Sequence, residues 1–269
     1  MTLYITDLDG TLLRNDKSLS RYTINTINKL IKRGMSFTYA TARSWHNAYP
    51  LMQRLNLTIP IITHDGALIA RPDNGAIMSK HIYDANLRDL AIDTFLSHNQ
   101  PPLVYAIIDG KEKVMWLKGA ESPGILGYIE SRAGDRRLLA VDTVEELKVG
   151  GVFNILAIGP RGSLADLARE FGDGYYAYLA NESNEDWFAL YPAGMSKGTG
   201  VKRLKNMLNA DKAICFGDNV NDVPMFEAAD ECYSVENAVD ELKRAATGII
   251  GNNDGDGVAK WLANNFGKS

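Results

Sequence analysis

The alternation of short apolar runs with amphipathic segments at the start of the chain is the feature that most limits its fold. Apolar runs at residues 3–6, 35–40 and 59–63 have the length and composition of buried strands. Between them, residues 21–33 and 44–55 repeat apolar side chains at helical spacing. This order predicts parallel strands joined by crossover helices. We therefore predict an α/β fold built on a Rossmann-like, doubly wound parallel sheet.

The last quarter of the chain repeats this order of elements. Strands are predicted at residues 213–216, 232–235 and 248–250, with helices at 199–208, 223–229, 236–246 and 258–266. Because the pattern matches that of the N-terminal residues, we expect both ends of the chain to form one domain.

The middle of the chain has a different pattern. Asp109-Gly110 separates two apolar runs, at residues 104–108 and 113–117, which is a strong signal for a β-hairpin. Further on, the chain has a loosely alternating run, a helical segment and another apolar run, at residues 151–158, 163–171 and 175–179. Hairpins between two α/β segments predict an inserted domain of the α+β type.

The boundaries of this insertion follow from where the pattern changes. We place the inserted α+β domain at residues 82–189 and the discontinuous catalytic core at residues 1–81 and 190–269. The two crossings between them would lie near His81 and Trp187.

The charge balance and the cysteine count exclude several classes of protein. The 269 residues include 29 Lys and Arg against 33 Asp and Glu, a net charge of −4, so no basic surface favours nucleic acid or an anionic membrane. No apolar run approaches the roughly 18 residues of a membrane span. We expect no secretory signal, because the N-terminal residues MTLYITDLDG show neither its basic region nor its apolar region. With only Cys215 and Cys232, we expect a cytoplasmic protein, whose oligomeric state stays open.

Two aspartates follow the first predicted strand, in Asp7-Leu8-Asp9-Gly10-Thr11. In open α/β sheets, ligands bind at the carboxyl ends of the strands. Two carboxylates separated by one residue can share a small site there, one as nucleophile or metal ligand and the other moving protons. The alternative is a polar β-turn, in which Asp-Gly is common.

Two weaker motifs have the position expected of phosphate-binding groups. Thr41-Ala42-Arg43 follows the second predicted strand, where a hydroxyl and backbone N–H groups can bind a phosphoryl oxygen. A helix cap formed by Thr41 is the alternative. Lys197 opens a predicted helix, where a cation is unfavourable unless an anion is present. A solvated surface lysine is the alternative for that position.

A second acidic turn, Gly217-Asp218-Asn219-Val220-Asn221-Asp222, follows the predicted strand at residues 213–216. Its carboxylates and amides are hard oxygen ligands of the kind that suits Mg²⁺. An Asx-rich turn that caps the next helix is the alternative. If the two strands are neighbours, the acidic turns meet, and they would repel each other without a cation.

The four motifs together resemble those of the haloacid dehalogenase superfamily, in particular its Cof-type sugar-phosphatase branch with a large inserted cap of the class IIB type. They occur in the family's order, and the resemblance covers essentially the whole chain. It implies a Mg²⁺-dependent phosphatase that hydrolyses small phosphate monoesters through an aspartyl phosphate. Residues 82–189 would be the cap.

The resemblance also implies a role for each motif residue. Asp7 would be the nucleophile and a metal ligand, and Asp9 the general acid and base, with its backbone carbonyl on the metal. Asp218 and Asp222 would complete the metal site. The phosphoryl group would be bound by the remaining motif residues, Thr41, Ala42, Arg43, Lys197 and Asn221. The acid step requires a raised pKa of Asp9 beside its anionic neighbours.

Two positions depart from the family pattern, and two other functions stay open. Ala42 replaces the usual Gly of the second motif, and Asp65 replaces a usual Asn and adds a charge. A phosphomutase of the same fold keeps the aspartyl phosphate away from water and is the main alternative. A signalling receiver that accepts a phosphoryl group is disfavoured by Asp9 and by the insertion. The expected partner is a small phosphorylated metabolite.

Overall fold

A computed structural model describes residues 1–182 and 184–267. The strands are β1 Thr2–Thr6, β2 Ser36–Tyr39, β3 Ile61–Thr63, β4 Leu68–Ala70, β5 Ile77–Lys80, β6 Leu103–Ile108, β7 Lys111–Leu117, β8 Leu138–Val141, β9 Gly151–Pro160, β10 Tyr175–Glu182, β11 Glu185–Pro192, β12 Lys212–Gly217, β13 Glu231–Val235 and β14 Gly248–Ile250. The α-helices are α1 Arg21–Lys32, α2 Trp45–Met52, α3 Ala85–Ser97, α4 Pro123–Glu130, α5 Val144–Leu147, α6 Ala165–Arg169, α7 Lys197–Leu208, α8 Val223–Ala228, α9 Asp240–Ala245 and α10 Gly257–Asn265.

The chain divides into two units, one formed by Met1–Lys80 with Ser196–Ser269 and the other by His81–Met195. The sequence analysis predicts these crossings after residues 81 and 189. In the structure the second crossing lies after Met195, beyond β11, because this strand pairs with both β10 and β9 inside the inserted unit. A boundary at residue 189 would cut that strand.

The first unit contains a five-stranded parallel sheet in the order β14-β13-β12-β1-β2. The chain leaves β1 towards β2 on one side and later returns to β12 on the other. The carboxyl ends of β1 and β12 are therefore the point at which the strand order reverses, where ligands bind in sheets of this kind. Fully buried Leu3, Ile5 and Phe216 pack in its core. The predicted α/β fold with a parallel sheet is confirmed.

The third predicted strand does not extend this sheet as expected. Residues Ile61–Thr63 form β3 of a separate antiparallel sheet with β4 and β5, and a single parallel bridge joins Ala40 to Ile62. The reason is local. His64 and Asp65 have positive φ angles of 50° and 49°, so the chain turns back on itself immediately after β3.

The inserted unit is a six-stranded sheet in the order β10-β11-β9-β6-β7-β8, antiparallel except for the pair β7 and β8. Its apolar core includes the buried rings of Phe95 and Phe188, which stack 5.6 Å apart. The sequence analysis had predicted the hairpin of β6 and β7 but neither α3 nor β11. Only Ala91, Ile92 and Phe95 are fully buried on α3, so its apolar stripe is short.

Caps explain where the helices next to the site begin. The Ser20 hydroxyl accepts from the Thr23 amide at the start of α1. At α2 the capping residue is Ser44, which accepts from the Asn47 amide. Ser196 and Thr199 form a reciprocal capping box at α7, so Lys197 occupies its first turn. In the part of the chain that the structure describes, no helix is long and apolar enough to cross a membrane.

Candidate active site

The turn after β1 brings the two acidic segments together. The Asp7 amide donates to the Phe216 carbonyl (2.8 Å), which continues the pairing of β1 with β12 beyond the last residue of β1. Gly10 has a φ of 80° and lies against the carboxylate of Asp218, which a Cβ at this position would overlap. Glycine at residue 10 therefore allows the two turns to approach each other.

Three carboxylates meet at this edge of the sheet. Oxygens of Asp7, Asp218 and Asp222 all lie within 4.8 Å of one another. The Thr11 hydroxyl donates to Asp218 (2.7 Å) and holds that carboxylate in the group. Burial raises the pKa of Asp7 well above its usual range and also raises that of Asp218.

A buried lysine bridges this cluster. The Lys197 ammonium donates to Asp7 (2.6 Å) and to Asp222 (2.7 Å), and its side chain is 1% exposed. Burial favours the neutral amine, but the charges of Asp7 and Asp222 outweigh it and raise the pKa of Lys197. Lys197 is therefore a cation inside the site, which excludes a solvated surface lysine.

Asp222 fixes the shape of the second acidic turn. One of its carboxylate oxygens accepts the Lys197 ammonium, and the other accepts the backbone amides of Asp218 (2.9 Å) and Asn219 (3.1 Å). The residue is fully buried. A carboxylate with so many donors holds the turn closed and keeps Asp218 next to Asp7.

The donor set of the cluster fits a hard divalent cation. Asp7, Asp218 and Asp222 bring three carboxylates against the ammonium of Lys197, so the cluster carries more negative than positive charge when all three are ionised. Oxygen ligands are those that Mg²⁺ takes in proteins. Burial is the main cause of the raised pKa of Asp7, and the charges of Asp222 and Asp218 add to it; a bound divalent cation would offset this repulsion.

The carboxylate of Asp9 has different partners. Arg43 binds it with two hydrogen bonds, of 2.6 and 2.7 Å, and the Lys17 ammonium lies 3.0 Å away. Burial would raise its pKa, but these cations outweigh burial and lower it to about 2. The expectation of a raised pKa for Asp9 is therefore wrong for this arrangement. The pKa of Asp9 is lowered by its pairing with Arg43 and Lys17, and the sequence motif does not reveal this pairing.

The second motif lies at the end of β2, the parallel neighbour of β1. Thr41 is buried, its backbone amide donates to the Ile62 carbonyl (3.1 Å), and its hydroxyl accepts from the Arg43 amide (3.2 Å). Since Ser44 caps α2, the alternative of a helix cap at Thr41 is excluded. Ala42 is exposed.

The structure also reveals contacts that the sequence analysis did not assign. Asn221 donates to the half-buried carboxylate of Asp65 (3.3 Å), so this departure from the family pattern lies beside the second acidic turn. Lys17 reaches Asp9 from a backbone with a φ of 64°. An exposed lysine in a turn carries no sequence signal for such a role.

Comparison with known proteins identifies the family of this fold. Residues 4–262 match the family model of the haloacid dehalogenase-like hydrolases. The chain belongs to this family. The superfamily resemblance of the four motifs is thereby confirmed, and the protein is an enzyme of the hydrolase class.

Several relatives of this haloacid dehalogenase-like hydrolase are named phosphatases. The 5-amino-6-(5-phospho-D-ribitylamino)uracil phosphatase YitU of Bacillus subtilis is 26% identical over 270 residues, which cover 97% of this chain and 96% of YitU. A solved structure from Thermotoga maritima has a TM-score of 0.81 at 24% identity and covers 97% of this chain and 96% of its own. The HAD subclass IIB sugar phosphatase BT4131 has a TM-score of 0.73 at 17% identity, with 98% of both chains covered.

In this hydrolase the charged residues of the predicted site fall into two groups. Asp7, Asp218, Asp222 and Lys197 form one connected cluster of charges. Asp9 and Arg43 form a second, joined to Lys17. The first group can present a carboxylate oxygen beside positive charge, and the second can hold a carboxylate that exchanges protons.

Proposed function

We propose that this hydrolase is a Mg²⁺-dependent phosphatase that cleaves small phosphate monoesters through an aspartyl phosphate on Asp7. The observation that supports this most strongly is the buried Lys197 ammonium, 2.6 Å from Asp7 and 2.7 Å from Asp222. An anionic nucleophile is repelled by a phosphate monoester unless positive charge is held beside both. Lys197 supplies such a charge at the place where Asp7 would attack.

The proposed first step transfers the phosphoryl group to Asp7. A carboxylate oxygen of Asp7 attacks phosphorus while the bond to the leaving oxygen breaks, and Asp9 gives that oxygen its proton. Water then attacks phosphorus of the aspartyl phosphate, Asp9 takes the proton of this water, and the carboxylate of Asp7 is restored. As it lies in the structure, Asp9 is ionised by its pairing with Arg43 and Lys17, which suits the second step. For the first step it would leave these cations and take up a proton from solvent when the substrate binds.

Asp7, Asp218 and Asp222 would hold the Mg²⁺ ion through their carboxylates, with the backbone carbonyl of Asp9 as a further ligand. When bound, Mg²⁺ supplies positive charge to the phosphoryl oxygens. We assign the Thr41 hydroxyl, the Ala42 amide, Lys197 and Asn221 to the binding of those oxygens.

The proposed substrate is a small phosphorylated metabolite with a sugar or polyol leaving group. YitU is named for a phosphoribityl compound, and BT4131 for sugar phosphates. We assign the choice among such leaving groups to the inserted unit, His81–Met195, as its cap. The reaction would take place in the cytoplasm.

A phosphate-release assay with and without Mg²⁺ tests this function. A panel of sugar and polyol phosphates is offered to the enzyme after treatment with EDTA, and Mg²⁺ is then added back. We expect phosphate release to stop in EDTA and to return with Mg²⁺. Full activity in the chelator would contradict the metal assignment. Transfer of the phosphoryl group within the substrate, without release, would indicate a mutase.

A further inference from the structure

The loop between β14 and α10, residues 251–256, has the sequence Gly-Asn-Asn-Asp-Gly-Asp. We refer to it as the C-terminal loop. None of its residues belongs to the four motifs, and the proposed chemistry does not use it. Its side chains nevertheless hold the segment that follows Asp9.

Asn253 is the centre of these contacts. Its side chain is buried, and its amide group donates to the Leu13 carbonyl (3.0 Å) and to the side-chain oxygen of Asn15 (3.0 Å). In the same loop, Asp254 accepts from the backbone amide of Asn15 (2.9 Å), and Asp256 accepts two hydrogen bonds from Arg14. The C-terminal loop therefore fixes three consecutive residues after the first acidic turn.

Asn237 extends this network to the turn itself. Its side-chain oxygen accepts from the backbone amide of Asn253 (3.0 Å), and its amide group donates to the Gly10 carbonyl (2.7 Å). Gly10 is the residue after Asp9. Two residues beyond Asn237, the Val239 amide donates to the Asp218 carbonyl (2.9 Å). The segment around Asn237 thus contacts both acidic turns.

We infer that Asn237 and Asn253 are positioning residues that hold Asp9 in place for proton transfer, acting through the Gly10 carbonyl and the backbone at Leu13. This inference rests on the proposed role of Asp9. Gly10 has a φ of 80° and the conformational freedom of glycine, so the chain after Asp9 needs an external anchor. A proton donor must lie within hydrogen-bond reach of the leaving oxygen, and a small displacement slows the transfer.

The sharpest test uses Asn237→Asp. This variant keeps the oxygen that accepts from Asn253 and replaces the amide group that donates to Gly10. Because Asn237 is exposed, the folded structure should persist, and a thermal unfolding midpoint close to that of the wild type checks this. Asn252→Ala is the matched control, since the Asn252 side chain accepts only from Gly255 within the same loop among the contacts described.

The expected result depends on the leaving group. For a sugar phosphate, whose leaving oxygen needs a proton, we expect Asn237→Asp and Asn253→Ala to lower kcat by about 10- to 100-fold, with KM changed by less than about threefold. In kcat/KM, which reports the transfer to Asp7, the loss should be smaller for p-nitrophenyl phosphate, whose leaving group departs as an anion. Asn252→Ala should retain wild-type kcat on both substrates. An equal loss of kcat/KM on both substrates, or the same loss in the control, would overturn the inference.

A double-mutant cycle separates positioning of Asp9 from a general structural effect. In an Asp9→Asn background, Asn237→Asp should cause no further loss of kcat, because the group that it positions is already gone. The same fold-loss in both backgrounds would overturn the positioning role while leaving the phosphatase assignment intact. A wild-type enzyme that releases no phosphate from any ester would overturn the proposed function and, with it, the inference.

Discussion

Asp7 and Asp9 are two residues apart, yet their surroundings differ in charge and in exposure. Asp7 is buried beside Asp222 and Lys197, and burial raises its pKa. Asp9 is half-buried between the side chains of Arg43 and Lys17, and these cations lower its pKa to about 2. The comparison shows that the Asp7 region has a surplus of negative charge, whereas the Asp9 region has a surplus of positive charge.

Because of this difference, the two aspartates of the first motif are suited to different roles. A surplus of buried negative charge around Asp7 favours the binding of a divalent cation, which allows a carboxylate to approach phosphate. Cations around Asp9 keep it ionised in the resting enzyme, as a base must be before it takes a proton from water. Under the proposed function, each substitution described below changes a residue of either the Asp7 region or the Asp9 region.

Asp7→Asn should have the largest effect. An amide at this position cannot form an acyl phosphate, so we expect no detectable phosphate release from any ester. The measurement is a phosphate-release assay at high enzyme concentration, with circular dichroism to confirm the fold. Turnover near the wild-type rate would mean that another residue is the nucleophile.

Asp9→Asn should have the next largest effect. Loss of a general acid and base lowers kcat by about 10²- to 10⁴-fold, while Asp7 can still be phosphorylated. Steady-state kinetics on a sugar phosphate measures this loss. A variant with unchanged kcat would show that the ion pair of Asp9 with Arg43 is structural and takes no part in catalysis.

Arg43→Lys should have a smaller effect, and it tests whether Arg43 acts through Asp9 or binds the phosphoryl group. Lysine keeps the positive charge but cannot bind a carboxylate with two parallel hydrogen bonds. If Arg43 acts through Asp9, kcat on a sugar phosphate falls by roughly tenfold and KM is nearly unchanged. The comparison of kcat with KM on sugar and p-nitrophenyl phosphates measures this. A rise in KM for both substrates at constant kcat would instead place Arg43 on the phosphoryl group.

Much of the site was predictable because it depends on strand ends. Asp7 and Asp218 each follow an apolar run, and parallel neighbouring strands bring such residues to one edge of the sheet. Lys197 opens a helix that the sequence predicts to within a few residues. Local patterns thus sufficed to predict that Asp7 and Asp218 would meet, whereas the roles of Lys197 and Asp222 beside them followed from the family resemblance.

The Asp9 region was less predictable because its partners come from irregular segments. Lys17 lies in an exposed turn, and Asn237 reaches Gly10 from a loop more than two hundred residues away in sequence. The hairpin after β3 was missed for a related reason. It depends on the positive φ angles of His64 and Asp65, which neither residue type requires.

The most direct test of the account is to trap the covalent intermediate on Asp9→Asn. This variant should accept a phosphoryl group from a reactive ester and release it slowly. After acid quenching, intact-mass measurement should show one added phosphoryl group, and peptide mapping should locate it on Asp7. The label should be lost with hydroxylamine, which cleaves acyl phosphates. A stable label on any other residue, or turnover in this variant and in the wild type without any labelled protein, would contradict the assignment of Asp7 as the nucleophile.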